Sequence, residues 1–296
     1  NQPMSSKSKV WHLVFNGEIY NFNEIKDELN YIFKTNSDTE VILAAVEEKG
    51  VQWFIEKANG MFAIALYNSS TEKVYLIRDR LGIKPLYYFN DGEKVVFSSE
   101  IKGILSSGLV KAKFNELAID EYLGNRFVRA PYTFFENIYQ LNAGCYIEIN
   151  SSMNAKKYKY WDFPEKFNFD ENFDEEILAK SFEDELIKAI KYRLISDVPL
   201  GTYLSGGVDS SLITAITSKN KKEILNTYTI GFPEVNEFEY SQIIAQKYNT
   251  SHHEILMKKE DYMNNWERLI GFKDAPLGVP NEIPLAVMST KLKEKV

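Results

Sequence analysis

The sequence predicts two domains of different fold class: a strand-rich α+β first half and, beyond Pro199, an α/β half built on a parallel sheet. Three observations carry this expectation. Short apolar and aromatic runs, each bounded by turn residues, crowd the first half. From Pro199 onward apolar strand, turn and helix alternate, the pattern of βα units. A chain of 296 residues that is 44% hydrophobic and 14% aromatic is also large enough for two cores of ordinary size.

Taken in order, Val10 to Phe15 is an apolar run that reads as a strand entering a tight turn at Asn16-Gly17. Phe22 to Leu29 has a helical pattern, with Ile25 and Leu29 four apart. Ser37-Asp38-Thr39-Glu40 precedes the apolar positions Val41, Ile42, Ala45 and Val46 and reads as a capped helix start. Strands are expected over Met61 to Tyr67, Lys73 to Arg78, Leu86 to Phe89 and Lys94 to Phe97, with further strand-like alternation around Tyr139 to Asn150. Arg78-Asp79-Arg80 reads as an internal ion pair supporting the turn that follows. Ser151 to Asp174 is polar, aromatic and acidic, with Pro164 inside it, and is the candidate linker stretch. A linker is set at 161–174, between a domain over 1–160 and another over 175–296. Ile177, Phe182, Leu186, Ile187, Ile190 and Leu194 then recur at the spacing of one amphipathic helix.

Composition excludes several classes. Lys and Arg total 35 against 42 Asp and Glu, a formal charge of −7, so no basic footprint for nucleic acid is expected. No apolar run is long enough to cross a bilayer, and the first residues lack the order of a signal peptide. The single cysteine, Cys145, fits a reducing, cytoplasmic compartment; with only three histidines, soft ligands are too few for a structural zinc site. Adjacent His252 and His253 in a strand would point to opposite faces, which argues against both binding one metal. Both ends read as cut, so the sequence is expected to be a piece of a longer chain.

The sharpest motif is Gly201-Thr202-Tyr203-Leu204-Ser205-Gly206-Gly207-Val208-Asp209-Ser210-Ser211. An apolar strand ending at Leu204 runs into two glycines and then a helix whose N-terminus offers free N–H groups. Such a turn can hold a di- or triphosphate. Ser205 and Ser210 add hydroxyls, and Asp209 can reach phosphate only through a cation, which makes it the expected Mg²⁺ ligand. Lacking Gly-Lys-Ser/Thr, the motif is not a P-loop. A second strand, Asn226 to Phe232, would place Ile230 and Gly231 beside Leu204, at the carboxyl edge of a parallel sheet where ligands bind; core packing is the plain alternative for Ile230.

The loop resembles the Ser-Gly-Gly-X-Asp-Ser loop of the N-type ATP pyrophosphatases, which implies ATP binding by Leu204 to Ser210 with Ile230 and Gly231. In the first half, Phe15-Asn16-Gly17-Glu18-Ile19-Tyr20-Asn21, Ser37-Asp38-Thr39-Glu40 and the run Arg78 to Tyr88 resemble class II glutamine amidotransferases. Together the two halves resemble the glutamine-hydrolysing asparagine synthetase family along nearly the whole length. The resemblance implies an N-terminal-nucleophile αββα glutaminase-type domain followed by an α/β parallel-sheet ATP-pyrophosphatase domain. It assigns an oxyanion hole to the Asn16 side chain and the Gly17 N–H. It places the glutamine ammonium against Asp38 and Glu18, where a desolvated cation needs a carboxylate. A hairpin turn remains the plain reading of Asn16-Gly17, and a helix cap that of Asp38. The family's nucleophile is a cysteine at the very N-terminus with an arginine shortly after. This sequence is expected to begin downstream of both and to be inactive as a glutaminase by itself. Cys145 is expected to be a buried, unreactive thiol.

The implied function is an ATP-dependent amide ligase. Glutamine-derived ammonia would amidate a carboxylate through an acyl-adenylate, with aspartate as first expectation and AMP and pyrophosphate as by-products. A sugar carboxylate, lactam closure and an inactive glutamine- or nucleotide-binding regulator are the alternatives. Asp274-Ala275-Pro276 and Pro280 to Pro284 occupy the region the family uses on the acceptor side and depart from its usual forms. ATP and Mg²⁺ are the implied cofactors. Glutamine, ATP and the acceptor are the implied partners, with no nucleic acid and no membrane, in a homodimer.

Overall fold

The computed structural model describes residues 2–165, 174–196 and 198–294. The chain divides into two compact units, Asn1–Phe167 and Asn168–Val296. Of the expected linker, 166–173 lie outside the described residues.

The first unit runs β1 (Met4–Ser5), β2 (Trp11–Ile19), α1 (Phe22–Asp27), α2 (Asp38–Lys49), α3 (Val51–Lys57), β3 (Gly60–Asn68), β4 (Lys73–Arg78), β5 (Tyr87–Asn90), β6 (Val95–Ser98), α4 (Ile101–Ser106), α5 (Leu117–Asn125), β7 (Ile138–Gln140), β8 (Cys145–Ile149) and β9 (Ala155–Lys159). One antiparallel sheet has the order β1-β2-β3-β4-β8-β9 and a smaller one β6-β5-β7. Strand alternation sorts the side chains into layers. Leu13, Phe15, Ile19, Phe62 and Ile64 pack with Val41, Ile42 and Phe54 of α2 and α3 on one face of the large sheet. On its other face Ala63, Ala65, Leu76 and Ile147 meet Tyr88, Val95 and Phe97 of the small sheet. The opposite side chains of that small sheet, Tyr87, Phe89 and Val96, pack with Ile101 and Ile104 of α4. Helix, sheet, sheet, helix is the αββα layering that the resemblance implies.

The second unit runs α6 (Glu175–Arg193), β10 (Gly201–Tyr203), α7 (Val208–Asn220), β11 (Asn226–Gly231), α8 (Phe238–Lys247), β12 (Ser251–Leu256), α9 (Lys259–Lys273) and α10 (Glu282–Leu292). Its sheet, β10-β11-β12, is parallel throughout.

Several sequence expectations need correction. Asn16-Gly17 is not a turn: β2 continues through it, pairing Asn16 with Ala63, Gly17 with Phe62 and Ile19 with Gly60. Nine consecutive cross-strand pairs outweigh the local turn preference of the dipeptide. Ala155–Lys159, inside the polar stretch that looked non-structural, is an edge strand whose lysines are exposed while Tyr158 stacks on Tyr146. Lysine on an edge strand blocks further pairing, which is why the segment reads as polar linker.

Arg78 and Asp79 do not brace their turn as an ion pair. Arg78 donates to the carbonyls of Lys84 (2.8 Å), Leu141 (2.6 Å) and Gly82 (2.7 Å). Asp79, fully buried, accepts from the amides of Phe62, Leu81, Ile83 and Lys84 at 2.9–3.2 Å. Main-chain hydrogen bonds satisfy both buried charges, and burial pulls the Arg78 guanidinium below its ordinary pKa.

Candidate functional site

In the first unit the expected residues gather at one end of β2. Ser37 caps α2, its side chain accepting from the Thr39 amide at 3.2 Å, so Asp38 is the first helical residue and not the cap. Asp38 Oδ2 accepts from the Ile19 amide at 3.0 Å, which ties the helix start to the strand two residues beyond Gly17. Glu40 in the same turn is buried and accepts from the amides of Lys34 and Thr35 and from the Thr35 hydroxyl. Burial acts to raise its carboxyl, but those bonds outweigh it and hold the pKa below the ordinary value. Glu18 lies on β2 between Gly17 and Ile19.

Gly17 has φ +150°, and a Cβ there would lie 2.0 Å from the Met61 carbonyl oxygen. Only glycine lets the two strands stay paired at this point. Its partner Phe62 is held from behind by Asp79, whose amide donates to the Phe62 carbonyl at 2.9 Å. Asn16 is exposed, on the face toward the small sheet, and its Nδ2 donates to Ser99 Oγ at 3.1 Å. Ser99 was not singled out in the sequence; it lies 83 positions away and no local pattern marks it.

Cys145 begins β8, packed in the core between the two sheets, and burial pushes its thiol pKa up. A buried thiol held protonated is a poor nucleophile.

In the second unit β10 ends at Tyr203, one residue short of the expected Leu204, but the Leu204 amide still donates to the Tyr228 carbonyl at 2.8 Å. The chain then bends through Ser205, Gly206 and Gly207 into α7. Gly206 has φ +84°, and a Cβ on it would meet Tyr240 Cβ at 2.5 Å and the Ser241 amide nitrogen at 2.8 Å. The bend is locked internally: Ser205 Oγ and Ser210 Oγ are 3.0 Å apart, and Ser210 Oγ donates to the Gly207 carbonyl at 3.2 Å. Gly207 is the N-cap of α7 and provides no side-chain cap. Val208 is 84% exposed, and Asp209 stands exposed in the first helical turn. This is an anion-ready helix N-terminus with one carboxylate at its mouth.

Beside the bend lies a cavity of about 470 Å³ that takes in four of the expected residues, Leu204, Ser205, Ile230 and Gly231. Gly206 to Ser210 are not part of its lining. Its lining also includes Asn281, which precedes α10, and Pro284, Leu285 and Met288 of α10. The Pro280 to Pro284 segment is thus brought against the expected nucleotide residues, a proximity that the sequence alone does not contain. Glu282 fixes this segment. It accepts from Lys273 Nζ at 2.8 Å and from the Gly278 and Val279 amides at 2.7 and 3.1 Å.

His252 and His253 point to opposite faces of β12. His252 lies 2.9 Å from Thr227 Oγ1 and 3.2 Å from Ser241 Oγ, and burial lowers its pKa; His253 packs on the Tyr228 ring at 4.8 Å. Among the described residues no three His, Cys, Asp or Glu side chains come together as a metal cluster. Asp209, exposed in the first turn of α7, is the carboxylate at this bend that could hold a Mg²⁺ together with phosphate oxygens, a donor set magnesium commonly uses.

Residues 1–161 match the family model of a glutamine amidotransferase domain, and residues 181–296 that of asparagine synthase. The chain is 32% identical over 289 residues to a Methanocaldococcus jannaschii protein provisionally named a glutamine-hydrolyzing asparagine synthetase, covering 96% of this chain and 55% of the relative. It is 31% identical over 301 residues to glutamine-hydrolyzing asparagine synthetase 1 of Bacillus subtilis, covering 100% of this chain and 46% of the relative. A Gibberella zeae protein named an amidase is 30% identical over 297 residues, covering 94% of this chain and 43% of that one. The chain spans about half the length of the curated relatives it matches. Among the described residues no helix is long and apolar enough to cross a membrane.

Proposed function

The chain belongs to the asparagine synthetase family, in which a glutamine amidotransferase domain is joined to an asparagine synthase domain, and from this we propose that it amidates a carboxylate with glutamine-derived nitrogen at the expense of ATP. The observation that carries the proposal is the Ser205–Gly207 bend, which delivers a helix N-terminus without a side-chain cap to the edge of a cavity lined by Leu204, Ser205, Ile230 and Gly231.

In the second unit the N–H groups at the start of α7 receive the polyphosphate of ATP, Asp209 holds its Mg²⁺, and Leu204 and Ile230 contact the base. An oxygen of the acceptor carboxylate attacks the α-phosphorus and the bond to pyrophosphate breaks, giving an acyl-adenylate. Ammonia then adds to the acyl carbon, AMP leaves with the C–O electron pair, and nitrogen loses a proton to give the amide. Aspartate is the acceptor we propose.

In the first unit Asp38 and Glu18 hold the glutamine ammonium. The Asn16 carboxamide and the Gly17 N–H donate to the oxyanion that forms when a nucleophile attacks the side-chain amide. The nucleophile is the N-terminal cysteine implied by the resemblance.

The test is ATP–pyrophosphate exchange by the full chain with a panel of carboxylates. The panel includes sugar acids, the alternative acceptor class that the same chemistry would serve. Exchange that depends on aspartate supports the reading; the absence of exchange with every acid tested overturns it. Asp209→Asn should abolish magnesium-dependent AMP formation and leave glutamine hydrolysis intact. Full AMP formation in that variant removes Asp209 as the cation ligand.

A further inference from the structure

An oxyanion donor works by being in place before charge develops, because a group that must reorient at the moment of reaction loses most of its advantage. A backbone N–H is fixed by its strand. An asparagine carboxamide is not, since its terminal torsion is broad and roughly two-fold, and turning it over presents a carbonyl where a donor is needed. Asn16 is exposed and sits opposite Ala63, a small side chain that leaves the amide room to swing.

Among the described residues that amide is held by a hydrogen bond to Ser99, in which Nδ2 donates to Oγ at 3.1 Å. Ser99 is itself on a firm base. It follows β6, whose last residue Ser98 pairs with Tyr87, and it precedes the Glu100 cap of α4. Ser98 Oγ accepts from the Glu100 amide at 3.3 Å, and Gly103 of α4 packs so closely that a Cβ there would come within 2.3 Å of the same oxygen. The small sheet thus carries a hydroxyl across to the one side chain of the large sheet to which an oxyanion role is given.

We propose that Ser99 is a positioning residue for amide hydrolysis: its hydroxyl pins the Asn16 carboxamide with the nitrogen turned toward it, leaving the second Nδ2 hydrogen for the oxyanion. This rests on the glutaminase reading of the first unit. Ser99 does not touch substrate in this account. It lowers the transition state through Asn16 and contributes little to glutamine binding.

The experiment is steady-state glutamine hydrolysis by the full-length protein, with the N-terminal cysteine that the glutaminase reading requires, as wild type, Ser99→Ala, Ser99→Thr, Asn16→Ala and the Ser99→Ala/Asn16→Ala double variant. Removing a whole oxyanion donor costs about 10²–10³ in kcat, so loosening one is expected to cost about tenfold in Ser99→Ala, with KM within about threefold of wild type. Ser99→Thr, which keeps the hydroxyl, should recover most of that loss, and the double variant should be no slower than Asn16→Ala. If Asn16→Ala is slow while Ser99→Ala turns over like wild type, the Ser99 proposal is wrong and the oxyanion assignment stands. If Asn16→Ala is also unimpaired, or the wild type does not hydrolyse glutamine, the glutaminase reading falls and Ser99 with it. A 15N spectrum separates positioning from misfolding. In Ser99→Ala the Asn16 side-chain amide signals should move while the backbone signals of β2 and β3 stay. Unmoved side-chain signals overturn the proposal whatever the rates.

Discussion

Gly17→Ala isolates the feature on which the first site depends. At φ +150° the added methyl would not leave the sheet as an ordinary strand side chain does. It would lie 2.0 Å from the Met61 carbonyl oxygen and 2.7 Å from Phe62 Cα, both backbone atoms of the neighbouring strand. A tolerable carbon–oxygen contact is about 3.3 Å, so β2 and β3 must part locally by roughly 1.3 Å. That is enough to break the ladder hydrogen bonds on either side, at about 1 kcal/mol each. Alanine also carries the strain of a conformation reserved for glycine, about 1–3 kcal/mol. The sum for Gly17→Ala is about 3–5 kcal/mol. Gly50→Ala is the control. Its φ is +90°, but nothing lies within 4 Å of the added methyl, so only the conformational part of about 1–3 kcal/mol applies.

A two-unit chain need not unfold in one step, so a single melting curve would blur the result. Amide hydrogen exchange resolves it. Protection of β2 and β3 should fall by about 3–5 kcal/mol in Gly17→Ala and by clearly less in Gly50→Ala, while β10–β12 stay unchanged in both. If the two variants lose protection equally, the cross-strand clash does not limit the substitution, and the argument that Asn16-Gly17 requires glycine fails.

Two further outcomes can be stated. Arg78→Lys keeps the charge, but a single ammonium cannot span the carbonyls of Gly82, Lys84 and Leu141; two charge-assisted bonds are lost, and urea denaturation of the first unit should show a loss of about 3 kcal/mol or more. A loss under about 1 kcal/mol would mean that those bonds do not hold the turn. Burial acts to raise the Glu282 carboxyl, but bonds from Lys273 and the Gly278 and Val279 amides outweigh it, and its folded pKa lies below the ordinary glutamate value. The stability it contributes is therefore complete above the unfolded pKa and lost as pH falls through the lower folded value. Melting of the second unit should be steeper in pH below about 5 for wild type than for Glu282→Gln, and parallel profiles would remove Glu282 as the anchor of the α10 wall.

Much of this architecture could be read from the chain because strand alternation and helix periodicity are local. Lys73–Arg78 is a strand with the expected bounds, and Ser37 caps α2. The helices Val51–Lys57, Ile101–Ser106 and Leu117–Asn125 escaped, since six to nine residues give too few turns to establish a period. Asn-Gly misled for a different reason. Its turn preference is a property of the unpaired chain, and in the folded unit β3 holds the pair extended. The Lys-rich edge strand Ala155–Lys159 looked like linker because the polarity that protects an edge is also the polarity of a loop.

The candidate sites divide along the same physical line. Asn16-Gly17 and Ser205–Ser210 can be seen in the sequence because each requires a contiguous backbone shape, and contiguous shape is written in adjacent residues. What makes each shape hold is not adjacent. Met61 stands over Gly17, Tyr240 and Ser241 stand over Gly206, Ser99 reaches Asn16 across 83 positions, and Pro284 lines the same cavity as Leu204. None of these supporting residues has a composition that marks it, since a serine accepting one hydrogen bond and a proline lining a wall are ordinary residues in ordinary elements. They become identifiable only when pairing register and layer order are known. A substitution in a motif therefore tests the chemistry of its site, whereas a substitution at Ser99 or Glu282 tests whether the fold presents that chemistry correctly. The two kinds of variant should separate experimentally: the first by what the protein binds or turns over, the second by kcat at constant KM or by the pH dependence of folding.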